Sequence, residues 1–246
     1  MNSISPNLNI MIKACEKASK VIIRDFGELE NLQVKKKGPK DFVTKTDKRV
    51  EEILIQELTK SKKNYSFITE ETGIIKNSIK DTFWIIDPID GTTNFLHGIP
   101  HFAISIALKF NNEIMSGVIF DPIKNEIFYA EKNNGSFFNN QRIRVSKKND
   151  LDECLFATNH LGAKYSDLNL RYTGCAALDL AYVGAGRLDG YFHNNINIWD
   201  IAAGAIIVEE AGGKVNDLNN FEINNIDIRA SSSNIYQKML ENLQNF

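Results

Sequence analysis

Cysteine is scarce. Cys15, Cys154 and Cys175 are the only three in 246 residues, odd in number, far apart and without C-x-x-C spacing. That pattern argues against a disulfide framework or a thiolate zinc cluster. It fits reduced, mostly buried thiols in a cytosolic protein. No sign of charge dominates either. Lysine and arginine number 29 against 31 acids, for a net charge of −2 and a pI near 6.1. A chain so balanced lacks the basic footprint that nucleic acid or an anionic membrane surface selects. No apolar run approaches the length of a membrane span. The opening MNSISPNLNIMIK has no basic segment followed by an apolar one, so a secretory signal is not expected. Internal repeats, linkers and low-complexity tracts are also missing.

What is present is an ordinary globular composition, 43% hydrophobic and 24% charged. The length allows one large domain or two small ones and a core that needs no staples. In residues 8–27, Met11, Cys15, Ala18, Ile22 and Phe26 recur at helical spacing before Gly27. The basic stretch QVKKKGPKDFVTKT (33–46), broken by Gly38-Pro39, reads as a loop, and a second helix is expected from about Asp47. Tyr65–Thr69 and Phe83–Ile86 read as short strands. FAISIAL, IMSGVIF and EIFYA between 102 and 130 predict a largely antiparallel sheet. FFNNQRIRV suggests a further hairpin. The rest is mixed. LFAT, LDGYF, KVNDL and IDIRASS read as strands, and GCAALDLAYVGAG, WDIAAGAIIVEEAGG and NIYQKMLENL as helices. The halves differ in pattern but not in charge, which predicts a single domain over 1–246 made of two fused lobes, about 1–148 and 149–246.

The chemistry concentrates in WIIDPIDGTTNF, residues 84–95. An apolar strand ends in Asp87 and Asp90, with Pro88 between them fixing its own φ and removing one backbone donor. Two carboxylates held close repel and raise each other's pKa. A divalent cation removes that conflict, and oxygen ligands select Mg²⁺, Mn²⁺ or Ca²⁺ over zinc. The Ile89 carbonyl is a further candidate ligand. Gly91 permits close approach to the backbone, and Thr92, Thr93 and Asn94 would open a helix or turn whose N–H groups suit phosphate. Taken alone, D-P-x-D-G reads equally as a turn with a helix cap behind it. Glu70 and Glu71 after YSFIT, Asp47 in DFVTKTD and Asp200 after Trp199 each have a similar bland reading, as caps or solvated acids. Together they are acids at element ends, where metal ligands are usually placed.

These segments resemble the inositol monophosphatase family of Mg²⁺-dependent, lithium-sensitive phosphatases. DFVTKTD, FITEETG, WIIDPIDGTTNFLHGIPHFAISIAL and WDIAAGAIIVEEAGG follow the family's order across most of the chain. The resemblance implies a mixed α+β fold, a layered αβαβα sandwich with metals between the lobes. It implies that Glu70, Asp87, the Ile89 carbonyl, Asp90 and Asp200 surround two Mg²⁺ ions, with Asp47 beside Glu70 holding a third through water. Thr92, partnered by Asp47, would orient the attacking water. Gly91 and Thr92 would supply phosphate-binding amides, Lys36 a closing loop, and Gly174, Cys175 and Ala176 the pocket wall. A cytoplasmic homodimer acting on a small phosphorylated metabolite is the implied setting, with inositol 1-phosphate the first substrate.

Two departures bear on the substrate. Relatives that prefer inositol phosphate commonly carry a glutamate seven residues before the last metal aspartate, where this chain has His193. A carboxylate only accepts hydrogen bonds, whereas a neutral imidazole offers one donor and one acceptor. The segment from Thr158 to Thr173 is also short, leaving room for a turn or two where most relatives carry a further helix. Fructose 1,6-bisphosphate, 3′-phosphoadenosine 5′-phosphate and histidinol phosphate are alternatives on the same metal core. A protein-binding role as a transcription accessory factor is the alternative of a different class, and a decayed, non-catalytic member is a third.

Overall fold

The computed structural model describes residues 4–28, 34–36, 42–159, 168–216, 218 and 223–244; for 34–36, 42–44 and 244 it describes the backbone alone. Helix α1 (Pro6–Phe26) starts where the Ser5 hydroxyl accepts the Leu8 N–H at 3.3 Å and Pro6 fills the first turn. That is a serine N-cap with a proline pre-set for helical φ behind it. Strands β1 (Val34–Lys36) and β2 (Phe42–Thr44) then pair antiparallel. The sequence reading had a loop over 33–46. Strands of three residues are too short for a two-residue alternation to show in sequence. The Gly38-Pro39 break lies outside the described residues. Helix α2 (Lys45–Ser61) begins two residues earlier than expected, which makes Asp47 its third residue.

The first large sheet follows: β3 (Ser66–Thr69), β4 (Gly73–Ile75), β5 (Thr82–Asp90), a one-turn helix α3 (Thr92–Leu96), β6 (Ala103–Phe110), β7 (Glu113–Asp121), β8 (Glu126–Glu131), β9 (Gly135–Phe138) and β10 (Gln141–Arg142). The spatial order is β10-β9-β8-β7-β6-β5-β3-β4, with β3 and β5 parallel and the other pairs antiparallel. A second sheet is built from β11 (Leu155–Thr158), β12 (Asn169–Arg171), β13 (Gly190–Ile196), β14 (Gly213–Val215) and β15 (Ile226–Ser232), in the order β12-β11-β13-β15-β14. Helices α4 (Ala176–Gly184) and α5 (Ile198–Glu210) lie within this half, and α6 (Tyr236–Gln244) closes it. The short strands β4 and β12 were not expected from sequence. Half of the shortened 158–173 segment, residues 160–167, lies outside the described residues.

Burial sorts these elements into five layers. Met11, Ile22, Val50 and Leu54 of α1 and α2 pack on Trp84, Ile86, Ile104 and Val118 of the first sheet. On its other face Ile85, Ala107 and Ile119 meet Leu178, Leu180, Ile201 and Ala203 of α4 and α5, which in turn meet Tyr191, Ile228 and Ala230 of the second sheet. Phe156 and Phe192 on the far face of that sheet pack on Met239 of α6. The order is αβαβα. Successive strand residues face opposite sides, and both sides of β5 are covered, so Trp84, Ile85 and Ile86 form an unbroken apolar run. Helix α5 is apolar nearly all round for the same reason, being enclosed by two sheets and a neighbouring helix.

The approach of α4 to α5 depends on Gly204. A Cβ there would stand 2.4 Å from the Leu180 Cβ. Helix propensity alone favours Gly204→Ala by about 1 kcal/mol, whereas forcing a methyl into a filled core costs about 1–3 kcal/mol. Packing is expected to win. Urea unfolding of Gly204→Ala should show a lower midpoint than wild type with an unchanged m-value, and a raised midpoint would contradict the packing account.

Candidate active site

Asp87 and Asp90 are three residues apart, so in a regular strand their side chains would point to opposite faces. The pairing of β5 with β6 changes that. Asp87 lies opposite Ser105 and Asp90 opposite Ala103, so three steps on β5 match two on β6. The extra residue is a β-bulge, which re-aims the side chains beyond it. Pro88, which has no N–H to contribute to a ladder, sits inside the bulge, as prolines in sheets do. The Ile89 N–H turns instead to Asp87 Oδ1 at 3.0 Å. The third acid comes from the other half of the fold: Asp200 is the third residue of α5, where its Oδ2 also accepts the Asn197 N–H at 3.1 Å. The capping and cluster readings of Asp200 therefore both hold.

Carboxylate oxygens of Asp87, Asp90 and Asp200 lie within 4.8 Å of one another, the only such group among the described residues. Glu70 stands outside this trio but beside it. The parallel register pairs Thr69 with Ile86, and the Glu70 N–H continues the ladder to the Ile86 carbonyl at 3.3 Å, bringing Glu70 alongside Asp87. Burial pushes the Asp87 carboxyl well above the usual carboxylate range, and the charges of Glu70, Asp90 and Asp200 push it further. Burial and the Asp200 charge raise Asp90 to about 7, against the Ala177 N–H, the Cys175 thiol and the Gly91 N–H, which favour its ionised form. The Ala177 N–H donates to Asp90 Oδ2 at 2.5 Å and the Cys175 thiol at 3.2 Å. Burial also lifts the Cys175 pKa well above the ordinary thiol value, so at neutral pH Cys175 donates a proton and is no thiolate ligand. Several acids that repel one another out of water, all oxygen donors, fit a hard divalent cation.

Of the remaining predicted residues, Gly91, Thr92, Gly174, Cys175, Ala176 and His193 lie beside this cluster. The Thr92 hydroxyl donates to the Ile89 carbonyl at 2.9 Å. Gly91 adopts φ 92°, and a Cβ there would meet the His101 carbonyl at 3.0 Å and the Cys175 Cβ at 3.3 Å. Gly174, Cys175, Ala176 and His193 line one cleft of about 240 Å³ together with Asp90 and Asp200. Asp47 is buried near the start of α2. Lys36 falls in β1, with its side chain outside what the structure describes. A larger groove of about 1010 Å³ runs beside Pro6, Tyr129, Phe137 and Arg142 and contains none of the clustered acids.

Among the buried acids that sequence reasoning passed over, Glu51 and Asp179 bear on this site. Glu51 accepts the Glu71 and Thr72 N–H groups, both at 2.9 Å. Its position four residues after Asp47, on the same helical face, was the available signal. Asp179 accepts the Thr173 hydroxyl at 2.8 Å and lines the cleft, while the Thr173 carbonyl accepts Asn94 Nδ2 at 2.8 Å. Nothing in the local pattern AALDL marked it out.

The sequence profile of the inositol monophosphatase family matches residues 4–245. An inositol-1-monophosphatase of Rhizobium meliloti is 45% identical over 221 residues, 84% of this chain and 83% of that protein. The Nus factor SuhB of Haemophilus influenzae is 39% identical over 98% of this chain and 97% of its own. The crystal structure of the extragenic suppressor protein suhB from Bartonella henselae superposes with a TM-score of 0.91 at 42% identity, covering 98% of this chain and 99% of that one.

The shift at Asp90 has a testable sign. With a folded pKa of about 7 and an ordinary unfolded value, the native state holds more protons between the two. The associated stability is complete below the unfolded pKa and is lost as pH rises through about 7. In chelator, the melting temperature of Asp90→Asn relative to wild type should therefore climb from pH 5 to pH 8. A difference that stays flat or shrinks would contradict the account of Asp90 as an acid raised by burial and by the Asp200 charge.

Proposed function

The chain belongs to the inositol monophosphatase family and is a phosphomonoester hydrolase, and on that premise we propose that it is a Mg²⁺-dependent enzyme releasing phosphate from inositol 1-phosphate. The observation that carries the reading is the meeting of Asp87, Asp90 and Asp200 directly before Gly91 and Thr92. Asp87, Asp90, Asp200, Glu70 and the Ile89 carbonyl would hold two ions, with Asp47 and Glu70 serving a third through water. Such ions, when bound, lower the pKa of a water and neutralise charge on the phosphoryl and leaving oxygens.

The protein's own groups do the positioning. The Thr92 hydroxyl spends its proton on the Ile89 carbonyl, so toward a water it acts as acceptor and directs a lone pair of that water to phosphorus. The Gly91 and Thr92 backbone would receive the phosphate. Water attacks in line, the bond from phosphorus to the ester oxygen breaks, and one proton of that water ends on the departing alcohol oxygen, without a phosphoenzyme.

Among the described residues, the cleft is lined, besides its acids, by Asn159, His193, Asn195 and Asn197 among others, with no lysine or arginine. That supports a polyol leaving group over one with a second phosphate, as in fructose 1,6-bisphosphate or 3′-phosphoadenosine 5′-phosphate. His193 would meet a hydroxyl as donor or acceptor. Lithium inhibition, a homodimer and a cytoplasmic location belong to the same proposal. No described helix is long and apolar enough to cross a membrane.

A second reading is favoured by the relatives named Nus factor SuhB, at 38–42% identity. In it the chain serves as a transcription accessory protein through protein contacts, since its composition shows no basic excess for nucleic acid. Phosphate release from inositol 1-phosphate, measured beside the rival substrates, should require Mg²⁺ and stop in chelator. Asp90→Asn should lower it on the order of 100-fold or more, given that even outer-shell changes cost about 10–100-fold. A cellular phenotype that survives Asp90→Asn would favour the accessory role. Release from none of these substrates would remove the proposed specificity.

A further inference from the structure

Glu51 has no place in the reaction outlined above, yet it is a carboxylate only 1% exposed. It lies one helical turn beyond Asp47 on α2. Its Oε2 accepts the Glu71 N–H and its Oε1 the Thr72 N–H, each at 2.9 Å. Those amides belong to the three-residue loop Glu70-Glu71-Thr72 that joins β3 to β4. The loop is closed by the Thr69–Gly73 pair, with Gly73 at φ 83° and the Thr69 hydroxyl on the Gly73 carbonyl at 3.2 Å. A left-handed glycine behind a short loop is a standard hairpin closure, so the ladder can close this hairpin without outside help.

A buried carboxylate is a costly way to satisfy two amides unless both of its oxygens are used. Here both are. No neutral isostere reproduces the arrangement. Glutamine has one acceptor oxygen, and its amide nitrogen would place N–H against N–H. Glu70 immediately precedes the two clamped amides, and its own N–H is tied to the Ile86 carbonyl beside Asp87. The clamp therefore fixes the loop carrying Glu70 against both the helix carrying Asp47 and the strand carrying Asp87.

We propose that Glu51 is a positioning residue that sets Glu70 for divalent-cation binding, through the Glu71 and Thr72 amides. This rests on the metal reading under Proposed function, so its test is made on binding rather than turnover. Free Mn²⁺ is titrated by electron paramagnetic resonance into wild type, Glu51→Gln, Glu51→Asp and Asp90→Asn, with folding checked by circular dichroism. Glu51→Gln is expected to fold and to weaken Mn²⁺ binding about 10-fold, within the range for residues behind a ligand. Glu51→Asp keeps two acceptor oxygens on a shorter stem and should recover part of the loss. A folded Glu51→Gln that binds Mn²⁺ within about twofold of wild type overturns the inference while leaving the metal site intact. Failure of both Glu51 variants to fold would make Glu51 a determinant of the fold and overturn it as well. Wild type that binds no better than Asp90→Asn would remove the metal reading, and this inference with it.

Discussion

Mutual repulsion among acids withdrawn from water is the constraint on which the rest of this molecule depends. Asp87, Asp90 and Asp200 cluster within 4.8 Å, with Glu70 adding charge beside Asp87. Burial makes each charge more costly and each repulsion stronger. A fold that keeps such a group must either protonate it or supply positive charge. The partial compensation already present comes from backbone and thiol donors on Asp90 and from the Ile89 N–H on Asp87. It leaves both acids raised, which is the condition of a site built for a cation.

Holding that cluster is a problem of packing between two sheets. Asp87 and Asp90 belong to the first sheet and Asp200 to α5, which is enclosed on several sides. The α5 helix can sit so close because residues facing it are small. A Cβ on Gly117 of β7 would come within 2.7 Å of the Ala203 carbonyl, and one on Gly204 would run into Leu180. Cross-connections then register the halves: Ala177 and Cys175 on Asp90, and Asn94 on the Thr173 carbonyl. The acids are thus placed by rigid elements, while the cleft beside them is walled largely by loop and strand-end residues such as Gly174 and Asn195. Precision is demanded of the first group, and variation in the second alters the leaving group without disturbing the cluster.

Much of this was legible in the sequence because its signals are local. The period of Met11, Cys15, Ala18 and Ile22 marked α1. The apolar run before Asp87 marked a strand covered on both sides. Of the four family-like segments, two carry the acids that cluster, Asp87 and Asp90 in one and Asp200 in the other. The three-residue strands β1, β2, β4 and β12 were missed because so few residues carry no periodicity. Glu51 and Asp179 were missed for another reason. Their partners are backbone amides or a hydroxyl brought near by folding, and a glutamate inside TDKRVEE looks the same whether solvated or buried.

By itself, then, the sequence determined which residues are acids, which stretches are strands or helices, and that proline and glycine interrupt the backbone between Ile86 and Thr92. Those are properties of short windows, settled by steric preference and hydrophobic period. Which acids share a face was decided only by the tertiary structure. A three-residue step along a regular strand would turn Asp87 and Asp90 to opposite faces, and pairing with β6 imposes the bulge that reunites them. Asp200, more than a hundred residues downstream, reaches them because α5 is pressed between the sheets. Register and packing are relations between distant segments, and no local pattern encodes the distance between two carboxylates.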